Sequence, residues 1–587
     1  MRKIETNFNS WDGTQLFYRA WLPKDKCEKA LVLFHRGHEH SARFEELVTA
    51  LGFDDIAVFA WDARGHGHSP GVRGYAKDIQ TLVRDVDSFI AHIGNTYNIE
   101  IEKTIVLAHS VSAVIITAWV YSFAPRIRSM ILATPAFDVK LYIPFARMGL
   151  QLYQRISNLL GCGPRFVKSY VSGKLLTHDL AEAKCYDQDP LISKQISLNI
   201  LLELQQCAQR LINDAAVIHT DTLLLCAQAD WVVRNAPQRR FFERLGAPTK
   251  RVEVLKGFYH SIFHEENRSL PIQITREFIL DSFAREAEDN QLRDADRQGF
   301  SHGEYQWLKA GLPYLSARRI GFVLQKHAMN TVGRLSKGIK LGLETGFDSG
   351  NSLHYVYQNS AHGITSLGRL LDRKYLDATG WCGIRQRKKN LEDTIKDALV
   401  LVQQAKNGAA GHAISLVDIA GGPGRYLLDL VSENNVPELQ ISVRDYSARA
   451  LAEGQALARN RGINGISFEK ADAFSPDSYN SCHDSADIGI VSGLHELFPE
   501  NAPVMRSLDG LHRTIRAGGY LIYTNQCWHP QLKMIAEVLS NREGKRWVMR
   551  CRSQAEMDKL VRAAGFEKVS QKIGSHGIFT VSLAKRV

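Results

Sequence analysis

Three residues in the first half of the chain have the types and order of an acyl-transfer apparatus. Ser110 stands in VLAHSVSAV, after the apolar run KTIVLA and before the helix-compatible run AVIITAWVYSF. That pattern predicts a strand, a sharp turn and a helix, with a hydroxyl at the apex. Asp230 follows the apolar run DTLLLCAQ, and His260 follows RVEVLK. Acyl transfer needs a nucleophile, a base to take its proton, a group that orients the base, and donors for the oxyanion. Ser110, His260 and Asp230 can fill the first three roles. The backbone N–H of Val111, just after the serine, and that of Gly37, in the early loop LFHRGHEHSARF, can supply the oxyanion hole. With these roles filled, His35 and His40 are expected to be structural or to contact a lid.

A second constellation lies at residues 414–430, ISLVDIAGGPGRYLLDL. A buried strand reaches Asp418, and a turn containing Gly421, Gly422 and Gly424 opens a helix. Glycines there let a ligand approach the backbone and present N–H groups at a helix N-terminus. By itself the stretch is either a nucleotide-binding loop or a tight βα turn. The next strand, LQISVRD, ends in Asp445, whose carboxylate could hold ribose hydroxyls. The one after, GISFEKAD, leads to Asp472 and Ala473, placed to meet an adenine.

These residues need scaffolds to hold them. At 587 residues the chain is too long for one ordinary core. From KALVLFHRG to YHSIFHEE, short apolar runs (LVLF, IAVFAWD, TIVLA, SMILATPA, DTLLLCAQA) alternate with helical stretches, as in a parallel sheet covered on both faces. Residues 138–218 break the rhythm and predict a helical cap without strands. The charged stretch 282–310 has linker composition, and a basic apolar segment, 312–343, follows. A second α/β pattern then runs to the C-terminus, ending in two strands around a turn. The expected fold class is α/β with two domains: residues 1–285 with a cap at 138–218, a linker and basic amphipathic segment at 286–340, and residues 341–587, the main boundary lying near 290.

Residues 14–270 resemble the monoacylglycerol lipase and lysophospholipase branch of the α/β-hydrolases, on HRGHEHSARF, WDARGHGHSPGVRG, AHSVSA, QADWVV and YHSIFHE. The resemblance implies cleavage of a single-chain lipid ester beneath a mobile apolar cap. Ala108 and Ser112 stand where that family's serine elbow usually has glycines. Residues 340–587 resemble class I S-adenosylmethionine-dependent methyltransferases, on the Asp-x-x-Gly-Gly-x-Gly loop and the antiparallel ending. This implies a Rossmann-like fold with S-adenosylmethionine as cofactor, held by Asp418, Gly421, Gly422, Gly424, Asp445, Asp472 and Ala473. His495, in SGLHELFPEN past the fourth strand, looks like the catalytic histidine of one group of O-methyltransferases; packing at a helix start is the other reading. Tyr355, Tyr375, Trp381 and Arg385 are candidates to line the acceptor or cofactor pocket. The whole chain resembles bacterial fusions of a hydrolase with a methyltransferase.

The expected function is therefore a bifunctional enzyme, a lipid-ester hydrolase joined to a methyltransferase. A methyltransferase whose hydrolase domain only binds, and an acyltransferase using the same triad, are the alternatives. Nine cysteines without a CxxC pair exclude a zinc site of that spacing and fit free thiols in a cytoplasmic protein. The opening MRKIETNFNSWDGTQ has no apolar core, so no secretory signal is expected. No metal is expected. The net charge of +11 points to acidic partners, such as a phosphate-bearing substrate or an anionic membrane surface met by residues 312–343. No nucleic acid is expected.

Overall fold

The apolar runs of the first half become the strands of one sheet. In the computed structural model these are β1 (Arg2–Asn9), β2 (Gln15–Leu22), β3 (Lys29–Phe34), β4 (Ile56–Trp61), β5 (Thr104–His109), β6 (Ser129–Ala133), β9 (Thr222–Ala227) and β10 (Lys250–Leu255). The structure describes residues 1–142, 149–150, 153–154, 163, 165–286, 292–313, 315–406, 413–432, 438–480 and 483–587. The chain divides into two units, Met1–Asn290 and Gln291–Val587. Among the described residues the first sheet runs β1-β2-β4-β3-β5-β6-β9-β10. From β4 through β10 the strands are parallel; β1 and β2 join antiparallel. Every residue of β4, β5, β6 and β9 is buried, which is why these strands read as unbroken apolar runs.

The segment between β6 and β9 forms the cap. It carries helices Leu180–Gln188 and Leu198–Asn213. It also carries a feature the sequence did not predict, a short antiparallel pair, β7 (Phe166–Lys168) and β8 (Gln195–Ser197). Three residues are too few for a two-residue periodicity to register. Part of the predicted cap, at 143–148, 151–152, 155–162 and 164, lies outside the described residues.

The second unit holds β11 (Ile414–Ile419), β12 (Leu439–Asp445), β13 (Ile466–Lys470), β14 (Ala486–Val491), β15 (Ile515–Gln526), β16 (Phe566–Ile573) and β17 (Phe579–Arg586). Their order is β13-β12-β11-β14-β15-β17-β16, with β17 antiparallel to both neighbours. The 27-residue helix Thr379–Ala405 covers part of this sheet and buries Ile395, Ala398 and Leu399 in its core. Much of the stretch that composition places in the linker and basic segment folds into helices of the second unit: Phe300–Ala310, Ala317–Asn330 and Lys337–Thr345. Leu308 is buried in that unit's core, with Phe322 and Met329 packed against it. Ile320, Val323 and Leu324 remain exposed on the basic helix. No described helix is long and apolar enough to cross a membrane. The two-domain α/β architecture expected from the sequence is the one found.

The antiparallel corner of the first sheet is locked by aromatic rings. Phe89, fully buried on helix Ile79–Tyr97, stands 4.8 Å from Phe8, 5.4 Å from Tyr18 and 5.9 Å from Trp61, centroid to centroid. Replacing Phe89 with alanine is expected to cost about 3–5 kcal/mol. Urea denaturation of the full chain, followed by tryptophan fluorescence, should show a lowered midpoint; an unchanged midpoint would refute this packing.

Candidate active sites

In the first unit, β5 ends at His109 and helix Val111–Phe123 begins two residues later. Ser110 takes the whole change of direction, with φ 57° and ψ −112°. A non-glycine residue there is strained, and strain of this kind persists where the surroundings hold it. Its own N–H donates to the Ala133 carbonyl at 2.9 Å, and its carbonyl accepts from Ala136 N–H at 3.0 Å. Ala108 and Ser112 are both buried beside it. The hydroxyl of Ser112 donates to the carbonyl of His35, tying the elbow to the loop that carries Gly37. A glycine at that position could not make this bond.

The structure brings the three residues predicted for acyl transfer together. His260 Nε2 lies 2.8 Å from Ser110 Oγ, and His260 Nδ1 lies 2.7 Å from Asp230 Oδ2. Asp230 Oδ1 accepts from the N–H groups of Val232 and Val233, at 2.7 and 2.8 Å. All three side chains are buried. Burial pushes the Asp230 carboxyl up, but the His260 ring and the two N–H groups outweigh it and hold the group below the usual carboxylate range. The His260 carbonyl is fixed in turn by His109 Nε2–H at 3.0 Å and by the Thr134 hydroxyl at 3.2 Å.

Ser110 and His260 open onto a cavity of about 100 Å³. Gly37 and Val111 line it as well, and a Cβ on Gly37 would stand 3.1 Å from Val111 Cγ2. Val111 is the first helical residue, where a backbone N–H has no intrahelical acceptor. Val139, Leu141, Leu201 and Leu204, from the cap, make an apolar wall. His35 and His40 take structural roles, His35 against the Arg36 carbonyl and the Ala63 N–H, His40 against Asp189 of the cap.

In the second unit, Ala420, Gly422 and Gly424 all have positive φ, at 58°, 56° and 63°. The loop they make leaves nothing within 4 Å of a Cβ placed on Gly422, whereas one on Gly421 would stand 2.1 Å from Asp418 Oδ2. Gly421 is thus required by packing, and Gly422 is favoured by its positive φ. Asp445 Oδ2 accepts from the Gly422 N–H at 2.9 Å and Oδ1 from the Ser447 N–H at 2.8 Å. Asp472 lies two residues beyond the end of β13, exposed, its Oδ1 accepting from Phe474 N–H at 2.9 Å; Ala473 beside it is half-buried.

A cavity of about 370 Å³ opens among the helices before β11 and the segments after β14 and β15. Tyr375 and Trp381 line it, as the sequence suggested. Tyr355 packs in the core and bonds to Asp372, and Arg385 donates to the Leu376 carbonyl at 3.0 Å; neither lines the cavity. The expectation for His495 also needs correction. Its ring is buried, with Nε2 3.2 Å from the Ser507 hydroxyl, and it is absent from the cavity wall. Burial, with Arg552 nearby, pushes it down to about 3, too weak a base to take a proton at neutral pH. Glu496 faces the cavity instead. One of its oxygens accepts from the Thr524 hydroxyl at 2.7 Å and lies 3.8 Å from Arg387; the other, Oε2, is buried without a hydrogen-bond partner. Arg387, Gln526 and His529 belong to the polar part of the wall, with Asp348 and Lys374. Arg387 follows Arg385 by two positions on one helix, which turns it to nearly the opposite face. A helical projection of GIRQRKK separates the two faces, and the fold decides which of them lines the cavity.

Asp418 ends as a fully buried carboxylate whose oxygens have no hydrogen-bond partner. Burial pushes it up to about 7, only partly offset by the neighbouring Tyr426 hydroxyl. The folded chain therefore keeps a proton that the unfolded chain releases near 3.8, and the stability this gives at low pH is lost as pH rises through about 7. The stability advantage of wild type over Asp418→Asn should fall between about pH 4 and pH 7 and level off above. Urea midpoints of the two proteins across pH test this; a difference independent of pH would show the carboxyl ionised throughout.

Comparison with known proteins agrees with this division. Residues 275–586 match the family described as "Putative methyltransferase", and residues 25–267 match the family described as "Serine aminopeptidase, S33". The "Uncharacterized protein YnbC" of Escherichia coli K12 is 46% identical over 99% of this chain and 98% of its own length. The monoacylglycerol lipase of Mycolicibacterium smegmatis is 23% identical over 47% of this chain and 97% of its own. Among solved structures, the monoacylglycerol lipase of Paleococcus ferrophilus is 25% identical and covers 46% of this chain and 99% of that one, with a TM-score of 0.41. The chain thus belongs to the family that includes YnbC, in which an α/β-hydrolase domain related to monoacylglycerol lipases is fused to a domain of the "Putative methyltransferase" family.

Proposed function

We propose that the chain is a bifunctional enzyme of lipid metabolism: a serine hydrolase of single-chain lipid esters, and a methyltransferase that uses S-adenosylmethionine. The observation that carries the first activity is the continuous line Asp230–His260–Ser110, at 2.7 and 2.8 Å, opening onto an apolar cavity under the cap. His260 Nε2 takes the proton of Ser110 as Oγ attacks the ester carbonyl. Asp230, held ionised, stabilises the imidazolium that forms. The N–H groups of Val111 and Gly37 receive the developing oxyanion. The alcohol leaves with the proton from His260, and water, deprotonated by the same ring, releases the acid. The apolar cap residues suit an acyl chain. Free cysteines among the described residues, and the absence of a spanning helix there, support a cytoplasmic location, with the basic helix Ala317–Asn330 as a contact for an anionic membrane.

For the second activity the residues present fit the cofactor. Gly422 leaves open space at a helix N-terminus, Asp445 stands beside it, and Asp418 lies buried beneath. Bound there, S-adenosylmethionine would supply an electrophilic methyl group. Gly422 and Gly424 would admit the cofactor's main body, Asp445 would accept its ribose hydroxyls, and Asp472 and Ala473 would border its base. Loops after β11 and β14 share one sheet edge because the two strands pair in parallel, so the cavity faced by Glu496 is the place for the methyl acceptor.

Two experiments test these readings. A fluorophosphonate probe should label Ser110 in wild type and miss Ser110→Ala, with equal labelling of both refuting the nucleophile. Calorimetric titration of the full chain with S-adenosylhomocysteine should give binding, weakened about thirtyfold to a hundredfold in Asp445→Ala through loss of a charge-assisted pair of hydrogen bonds. Binding of NAD with no response to S-adenosylhomocysteine would overturn the methyltransferase reading.

A further inference from the structure

The wall of the cavity in the second unit meets solvent at two places. Of the residues that line it, three are exposed: Leu497, beside Glu496 at the sheet edge, and Gln325 and Lys374, on helices Ala317–Asn330 and Ser366–Leu376. The first place is on the side of the glycine loop, because β11 and β14 pair in parallel. The second lies among helices that stand apart from the sheet.

The surface around this second place is apolar. On helix Ala317–Asn330, Phe322 and Met329 pack inward, while Ile320, Val323 and Leu324 are 52%, 59% and 65% exposed. Positions i, i+3 and i+4 share one face. Ser366–Leu376 repeats the arrangement, with Gly368, Asp372 and Leu376 buried and Leu367 and Leu370 exposed. Both helices pack on one turn, Val332–Leu335, whose Val332 is exposed as well. Single apolar side chains are ordinary on a protein surface, but a group of them around one opening marks a site that meets something apolar.

Charge identifies what that is. Residues 312–343 contain Arg318, Arg319, Lys326, Arg334, Lys337 and Lys340 and no aspartate or glutamate. Of the acidic residues nearby, Asp372 is buried against Ser336 and Asp377 meets Arg373 at 2.7 Å. An anionic bilayer satisfies both features: leucine and isoleucine side chains enter its acyl region, and lysine and arginine stems carry their charges to the head groups. The interior continues the apolar path, since Met329, Tyr375, Trp381, Trp547 and Phe579 line the cavity.

We propose that the methyl acceptor is a lipid of an anionic bilayer, which the second unit meets with helices Ala317–Asn330 and Ser366–Leu376 and admits to the cavity past Gln325 and Lys374. This rests on the methyltransferase reading and adds to it the acceptor's class and its route. An oxygen or nitrogen of the lipid forms the new bond to the methyl carbon as the carbon–sulfur bond breaks. Sulfur keeps the electron pair, and the lipid's proton passes to the Glu496 carboxylate at the sheet edge.

The test uses the full chain. Wild type should sediment with vesicles of phosphatidylcholine and phosphatidylglycerol in equal parts and not with phosphatidylcholine alone. The double variant Ile320→Ser, Leu324→Ser should weaken this binding by about tenfold or more, and Arg318→Gln with Lys326→Gln by about thirtyfold. With vesicles of Escherichia coli lipid extract and methyl-tritiated S-adenosylmethionine, label should enter the chloroform-soluble lipid. Both double variants should lose that transfer at limiting lipid while binding S-adenosylhomocysteine as wild type does. A phosphatidylglycerol with a diazirine on its acyl chain should crosslink to cavity residues such as Met329 or Trp381. Equal binding to both kinds of vesicle, or to neither, overturns the proposal. So do crosslinks confined to the exposed helix faces, and variants that transfer as well as wild type. Vesicle-free dimers abolished by the Ile320, Leu324 variant would make the face a contact between copies and refute the membrane. No label in lipid, with S-adenosylhomocysteine still bound, overturns this proposal and leaves the cofactor reading standing. Absence of S-adenosylhomocysteine binding would overturn that reading, and this proposal with it.

Discussion

Parallel strands pair only when their chain directions agree, and that requirement sends the chemistry of each unit to one edge of its sheet. In the first unit β3, β5, β9 and β10 all run the same way, so the loops carrying Arg36 and Gly37, Ser110, Asp230 and His260 emerge together. Ser110 and His260 are 150 residues apart in sequence and 2.8 Å apart in space. In the second unit β11, β12, β13 and β14 do the same for the glycine loop, Asp445, Asp472 and Glu496. Neither arrangement depends on the loops' own stability; the buried strands hold them.

What surrounds a buried group then decides what it can do. Asp230 and Asp418 are both aspartates at strand ends, and both are buried. Asp230 meets a histidine ring and two N–H groups and stays ionised, as a partner of an imidazolium must. Asp418 meets no donor of ordinary geometry and is pushed up to about 7, which leaves it suited to packing beneath a glycine loop rather than to holding charge. The same rule separates the two histidines proposed as bases. His260 is braced through Nδ1 and reaches the nucleophile through Nε2, whereas His495 is sealed against Ser507.

A buried polar network fixes the segment that places Glu496. Arg552 donates to the carbonyls of His495 and Phe498, and Arg550 pairs with Glu556 at 2.7 Å while both arginines reach Asn501. Such networks are costly when incomplete and rigid when satisfied. Here the network orients the turn after β14, with His495 inward and Glu496 toward the cavity. In the first unit the hydroxyl of Ser112 performs a similar service, joining the serine elbow to the loop of Gly37.

The sequence by itself determined the two sheets, the serine turn, and the triad, because each is written locally: apolar runs set by burial on both faces, glycines set by positive φ, and reactive residues placed just after strands. It determined the glycine loop and Asp445 for the same reason. Only the tertiary structure decided which of His495 and Glu496 faces the cavity, since neighbours in a turn point apart and no periodicity records the direction. It alone showed that Arg387, not Arg385, reaches the cavity wall, and that a three-residue strand pair crosses the cap. The burial of Arg36, in the loop after β3, was invisible for a related reason. A charged residue in a loop reads as solvent-exposed until the chain folds a cap over it, and its burial depends on Tyr186, 150 positions away.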